Sequence, residues 1–167
     1  MLEFNNVTFE YSGTDHGVYD ISLTVQRGEC VLLCGASGCG KTTVTRLING
    51  LAPSFYSGSL TGKISIGGVD ITGLQPYETA RRVSSVFQDP KAQFFNTDTE
   101  SEIVFSLENR GFPVAEINTR LDEAVGKFGL RELLGKSPSK MSGGQAQTVA
   151  FAAAYMKNAK KSAYRCS

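Results

Sequence analysis

The chain has 167 residues, 41% of them hydrophobic and 20% charged, with Lys+Arg 17 against Asp+Glu 16 and a net charge of +1. Such figures fit one globular domain, or part of a larger one, and exclude a disordered, collagen-like or disulfide-scaffold chain. The even charge balance gives no support to a nucleic-acid or membrane-surface role based on bulk charge. The four cysteines, Cys30, Cys34, Cys39 and Cys166, contain no Cys-x-x-Cys pair and His16 is the single histidine, so metal ligation by this set is not expected. Cys30 and Cys34 read instead as small apolar side chains in a reduced chain. No basic stretch followed by an apolar one marks a signal peptide at the N-terminus. The longest apolar run, residues 149–156, is far short of the ~20 residues that span a bilayer.

In chain order, Leu2, Phe4, Val7, Phe9 and Tyr11 are spaced like short strands with a polar break at Asn5 and Asn6. Residues 18–25 alternate, with Ile21, Leu23 and Val25 on one face. The continuous apolar run 30–34 predicts a buried, parallel strand. A glycine-rich loop follows, then a helix over 42–49 that Gly50 stops. Residues 58–73 predict a surface hairpin, 76–82 a short helix opened by Pro76, and 83–87 a further apolar strand. From residue 97 the pattern is helical only, over 99–109, 114–129 and 143–156. An α/β core is therefore expected over 1–91, with a helical subdomain over 92–150.

The sharpest local signal is Gly35-Ala-Ser-Gly-Cys-Gly-Lys-Thr42, the P-loop spacing of Gly, four residues, then Gly-Lys-Thr. Phosphate oxygens need several N–H donors aimed at one point. Glycines let the backbone approach without a Cβ in the way, and the following helix N-terminus adds partial positive charge and unpaired donors. Lys41 supplies a full charge to the terminal phosphates, and the Thr42 hydroxyl suits Mg²⁺. Gly35, Ala36, Ser37, Gly38, Cys39, Gly40, Lys41, Thr42 and Thr43 are thus candidate ligands of a nucleoside triphosphate. A second glycine-marked helix start, Met141-Ser-Gly-Gly-Gln145, lies roughly a hundred residues later. Ser142 can cap the helix, and the glycines leave its first amides open to an anion.

With those two motifs the chain resembles the ATP-binding subunits of ABC transporters. Ser142, Gly143, Gly144 and Gln145 look like that family's signature, with Met141 where leucine is commoner. The resemblance implies a P-loop NTPase core of α/β class with an antiparallel β subdomain and an appended helical subdomain. It implies that Tyr11 stacks on adenine and that Val18 flanks the base. It also implies that Gln88, in Val86-Phe-Gln-Asp-Pro90, reaches toward Mg²⁺ and the attacking water. The stretch from Gln88 to Phe95, followed by Thr99 to Gly111, is similar to the ATPases of energy-coupling-factor importers, which take up vitamins and transition-metal ions, cobalt among them. The expected cofactors are ATP and Mg²⁺. The expected partners are a second ATPase subunit in a head-to-tail dimer and a transmembrane subunit docking near Gln88, at the cytoplasmic face of the membrane; nucleic acid is not among them.

Two departures qualify the resemblance. The basic residues usual after the signature are replaced by Gln145-Ala-Gln-Thr148. The family's apolar strand ending in Asp-Glu, and the histidine beyond it, are also missing from the expected place. On this reading the ABC domain over 1–157 is truncated in the C-terminal part of its core and, alone, hydrolytically inactive. Residues 158–167 form an aberrant polar tail. Read one nucleotide later, generic codons for 158–166 admit Met-Pro-Lys-Asn-Leu-Leu-Ile-Asp, so a frameshift near Asn158 is expected to account for it. The rivals are a P-loop kinase, a non-transport ABC ATPase and a non-catalytic nucleotide-binding fragment. The kinase lacks an arginine-rich lid and the non-transport ATPase its insertions or basic face. The fragment is the reading of the chain taken literally.

Overall fold

The computed structural model describes residues 1–158, and the expected aberrant tail lies outside them apart from Asn158. The described residues fall into two compact units, Met1–Val83 and a second that begins at Ser84.

In the first unit, β1 (Leu2–Tyr11) pairs antiparallel with β2 (Gly17–Val25) on one side and β3 (Gly58–Ile66) on the other. A two-residue β4 (Val69–Asp70) completes the order β2-β1-β3-β4. The polar break at Asn5 and Asn6 is a bulge inside one continuous strand: the register shifts on both flanks of β1, and Asn6 takes φ 48. Hydroxyls mend the ladder there, since Ser22 Oγ accepts from Asn6 N at 3.1 Å and Thr8 Oγ1 from Asp20 N at 3.0 Å. Gly62 sits across from the bulge because a Cβ there would meet Asn6 O at 2.3 Å.

Phe4, Val7, Phe9, Val18 and Ile64 point to the buried face of this sheet, and Val44 and Leu47 of α1 (Lys41–Ile48) join the same core. Fully burying side chains of that size stabilises by about 1.5–3 kcal/mol each. Helix α1 ends as expected: Gly50, at φ 71, donates from its N–H to Leu47 O at 3.2 Å. The short α2 spans Pro76–Thr79, and its turn continues through backbone bonds from Arg81, Arg82 and Val83.

The predicted strands at 30–34 and 83–87 are not formed among the described residues. Leu32 is 84% exposed, and Cys30 and Cys34 are exposed rather than buried. A strand apolar on both faces takes its hydrogen bonds and its cover from neighbours on either side. The single sheet of the described residues is antiparallel and pairs with neither segment.

The second unit is helical. Helices α3 (Thr99–Glu108), α4 (Val114–Phe128) and α5 (Gly143–Asn158) agree with the expected patterns to within one or two residues. Two 3₁₀ turns, Arg131–Leu133 and Pro138–Lys140, lie between α4 and α5, and a further one, Pro90–Gln93, precedes α3. Ile103 and Leu107 of α3 pack with Ala146, Val149, Ala152 and Met156 of α5 and with Ala124 of α4. The alanines let the helix axes approach closely. Asp98 caps α3 by accepting from Ser101 N at 2.9 Å, and Gly129, at φ 65, closes α4. Glu102 is buried, and its Oε2 accepts from Phe95 N, Asn96 N and Asn96 Nδ2 at 2.9, 2.9 and 3.1 Å, tying the segment before α3 to the helix. No helix among the described residues is long and apolar enough to cross a membrane.

Candidate functional site

Residues 35–40 form the loop that leads into α1, and two close approaches explain its glycines. A Cβ on Gly35 would lie 2.5 Å from Cys39 Sγ, and one on Gly40 would lie 2.5 Å from Val18 Cγ1. Gly40 also takes φ 93 and Gly38 φ 83, backbone that side-chain-bearing residues rarely adopt. The turn is closed by Cys39 N donating to Ala36 O at 3.4 Å. Gly40 is the N-cap of α1 and makes no side-chain cap bond, and no acidic residue occupies the first turn. The helix begins with Val44 N donating to Gly40 O at 3.0 Å, so the amides ahead of it have no acceptor within the helix. An anion placed there meets uncapped N–H groups and the positive end of the helix dipole.

Lys41 folds back over this loop. Its Nζ donates to Gly35 O at 2.8 Å, to Ala36 O at 2.6 Å and to Cys39 Sγ at 3.4 Å. Carbonyl and thiol acceptors hold the ammonium over the loop without neutralising it. The Thr42 side chain is exposed and Thr43 is buried, so the two threonines face different surroundings.

Tyr11 ends β1 beside the same helix. Its hydroxyl shares a hydrogen bond with Thr43 Oγ1 at 3.0 Å and accepts from Arg46 Nη1 at 3.0 Å. The Tyr11 ring meets Phe9 edge-on at 4.9 Å and Tyr56 edge-on at 6.5 Å between centroids. Arg46 Cζ lies 3.8 Å from the centre of the Tyr56 ring. The bond to Tyr11 raises the Arg46 guanidinium further above its already high range, so it is always charged. Tyr11, Val18 and 35–43 are thus brought together in one unit. Arg46 and Tyr56 belong to the same cluster and were not singled out from the sequence. The spacing of Arg46 three residues after Thr43, which puts both on one helical face, is the signal that could have found it.

Gln88 and the second motif lie in the other unit. Gln88 is exposed in a bend just ahead of Pro90–Gln93, where Asp89 Oδ1 accepts from Lys91 N at 3.0 Å and Gln93 Oε1 from Phe87 N at 2.9 Å. At the start of α5, Ser142 N donates to Gln145 Oε1 at 3.0 Å and Gln145 N to Ser142 Oγ at 3.3 Å, the reciprocal pair of a capping box. Gln145 therefore has a structural partner that its expected ligand role did not include. Gly143 and Gly144 are exposed, and a Cβ on either would meet nothing within 4 Å. Packing does not demand these glycines, unlike Gly40.

Residues 18–161 match the family described as ABC transporter. A Treponema denticola protein carrying the name ABC transporter ATP-binding protein is 47% identical over 156 residues, which is 93% of this chain and 32% of that protein. A Streptococcus mutans protein of the same name is 36% identical over 152 residues, or 90% of this chain and 27% of its own length. The chain thus spans about a third of these curated relatives or less. Among solved structures, cbiO1 from Clostridium perfringens, part of the ABC transporter complex cbiONQ, superposes with a TM-score of 0.82 at 27% identity, covering 93% of this chain and 61% of that one.

Proposed function

This chain belongs to the ABC transporter family, and on that premise we propose that it binds the triphosphate of ATP in the loop 35–43, as part of the ATP-driven subunit of an importer of the energy-coupling-factor kind. The observation that carries the nucleotide reading is the cradle before α1. Gly35 and Gly40 there have no room for a Cβ, Gly38 and Gly40 take positive φ that lets the backbone curl, and the Lys41 ammonium lies against the same loop. In this reading the amides of 38–43 and Lys41 hold the phosphates, Tyr11 stacks on adenine and Val18 flanks it. The Thr42 hydroxyl and the Gln88 carboxamide are hard oxygen donors suited to Mg²⁺. When bound, Mg²⁺ draws charge from the phosphate oxygens and so favours transfer to water.

ATP hydrolysis coupled to transport is proposed for the protein of which these residues form the nucleotide-binding part. Two copies would pair head to tail, with Ser142, Gly143, Gly144 and Gln145 of one facing the terminal phosphate held by the other. The capping box suits that role. It uses Ser142 Oγ as an acceptor and leaves the hydroxyl proton to donate. The likeness to cbiO1 supports the importer type, a transmembrane partner and attachment at the cytoplasmic face of the membrane. Cells whose chromosomal copy carries Lys41→Ala are expected to lose uptake of cobalt, another transition-metal ion or a vitamin. Unchanged uptake across such a panel overturns the importer reading.

A further inference from the structure

We infer that Arg46, seated on the face of Tyr56, is the positioning residue that fixes the Tyr11 ring as the base platform of the nucleotide site. This rests on the proposed stacking role of Tyr11 and extends it to two residues outside the P-loop. Tyr11 is the last residue of β1. Four contacts hold it: Arg46 Nη1 donates to its hydroxyl at 3.0 Å, Thr43 Oγ1 lies 3.0 Å from the same oxygen, and Phe9 and Tyr56 meet the ring edge-on at 4.9 and 6.5 Å between centroids.

The partners differ in what fixes them. Thr43 is buried in the first full turn of α1, so its hydroxyl moves with the phosphate loop. Arg46 lies on the same helix, and its long side chain is held by lying 3.8 Å over the Tyr56 ring. A planar guanidinium can stack on one ring and donate in its own plane to another; an ammonium cannot do both. The chain Tyr56–Arg46–Tyr11–Thr43 therefore sets the base platform in the frame of the helix that carries the phosphate loop. Order built in before binding does not have to be supplied when the nucleotide arrives.

The test compares ATP with inorganic tripolyphosphate on the full chain, by titration calorimetry in the presence of Mg²⁺. The affinity ratio of the two ligands isolates the contribution of nucleoside and base. It cancels any change common to both ligands, including loss of the Arg46 charge and partial unfolding. Tyr11→Ala is expected to lower the ratio about 5- to 100-fold if base stacking here has its usual strength. Arg46→Gln and Tyr11→Phe, which removes only the hydroxyl, are each expected to lower it about 3- to 10-fold through the lost ordering. Arg46→Lys, which keeps the charge but not the plane, is expected to fall with Arg46→Gln. An unchanged ratio in Arg46→Gln and Tyr11→Phe, with a lowered ratio in Tyr11→Ala, overturns the positioning role and leaves the stacking role standing. An unchanged ratio in Tyr11→Ala overturns both.

Discussion

Gly40 and Val18 occupy one space: a Cβ on Gly40 would lie 2.5 Å from Val18 Cγ1, in a residue already held at φ 93. The start of α1 is thereby pressed against a buried position of β2. Gly40→Ala carries two separable penalties, about 1–3 kcal/mol for the backbone region and about 1–3 kcal/mol for overpacking. Adding Val18→Ala relieves the second and not the first. A double-mutant cycle by chemical denaturation is expected to show a favourable coupling between the two changes. Strict additivity would mean that the contact with Val18 does not limit the residue.

Ser142 and Gln145 cap each other at the start of α5. Ser142→Ala is expected to destabilise the helical unit by about 1 kcal/mol. Gly144→Ala, with nothing within 4 Å of the new Cβ, is expected to stabilise it by up to about 1 kcal/mol through helix propensity. Protection of the α5 amides in hydrogen exchange reads both signs. A loss of protection in Gly144→Ala would show that the glycine answers a packing need after all.

Glu102 gathers three donors on one oxygen while buried. Glu102→Ala would leave the Phe95 and Asn96 amides without this acceptor, at about 1–3 kcal/mol for each one left unsatisfied. Glu102→Gln keeps a carbonyl acceptor and is expected to cost less. Denaturation midpoints that rank the two variants the other way contradict this account of the segment.

Asp70 is held below the ordinary carboxylate range, first by the hydroxyl of Thr72, then by the Thr72 amide, with Lys63 a lesser cause. Thr72 N donates to Asp70 Oδ1 at 2.9 Å, whereas Lys63 is an exposed partner at 3.4 Å. A carboxyl with a lowered folded pKa contributes stability that is present above its unfolded pKa and fades as pH falls through the folded value. The contribution of Asp70 should therefore be lost as pH falls below the ordinary carboxylate range, and solvent screening keeps it small. Thr72→Val is expected to remove more of that acid-dependent term than Lys63→Ala, as read from stability measured against pH. The reverse order would assign Asp70 to the ion pair.

Much of this was legible from residue pattern because the signals were local. The P-loop glycines, the helix at Lys41, its stop at Gly50, the Ser142 cap and the three later helices each depend on residues within a few positions of one another. The polar pair Asn5 and Asn6 was legible as an irregularity, although it proved to be a bulge within one strand. The apolar run 30–34 misled because its pattern states what a buried strand requires of its neighbours, and those neighbours are not in the sheet formed here. Arg46 and Tyr56 escaped notice because their importance lies in where they meet Tyr11, which is 35 residues from Arg46 in the chain.

Calorimetric titration of Mg²⁺–ATP into the full chain and into Lys41→Ala tests the central claim most directly. The loop 35–42 contains no full charge other than the Lys41 ammonium, which lies against Gly35 and Ala36. The account predicts measurable binding to the unaltered chain and loss of most of it in Lys41→Ala, with the fold retained by circular dichroism. Equal affinity in the two proteins would contradict the assignment of the loop as the triphosphate site.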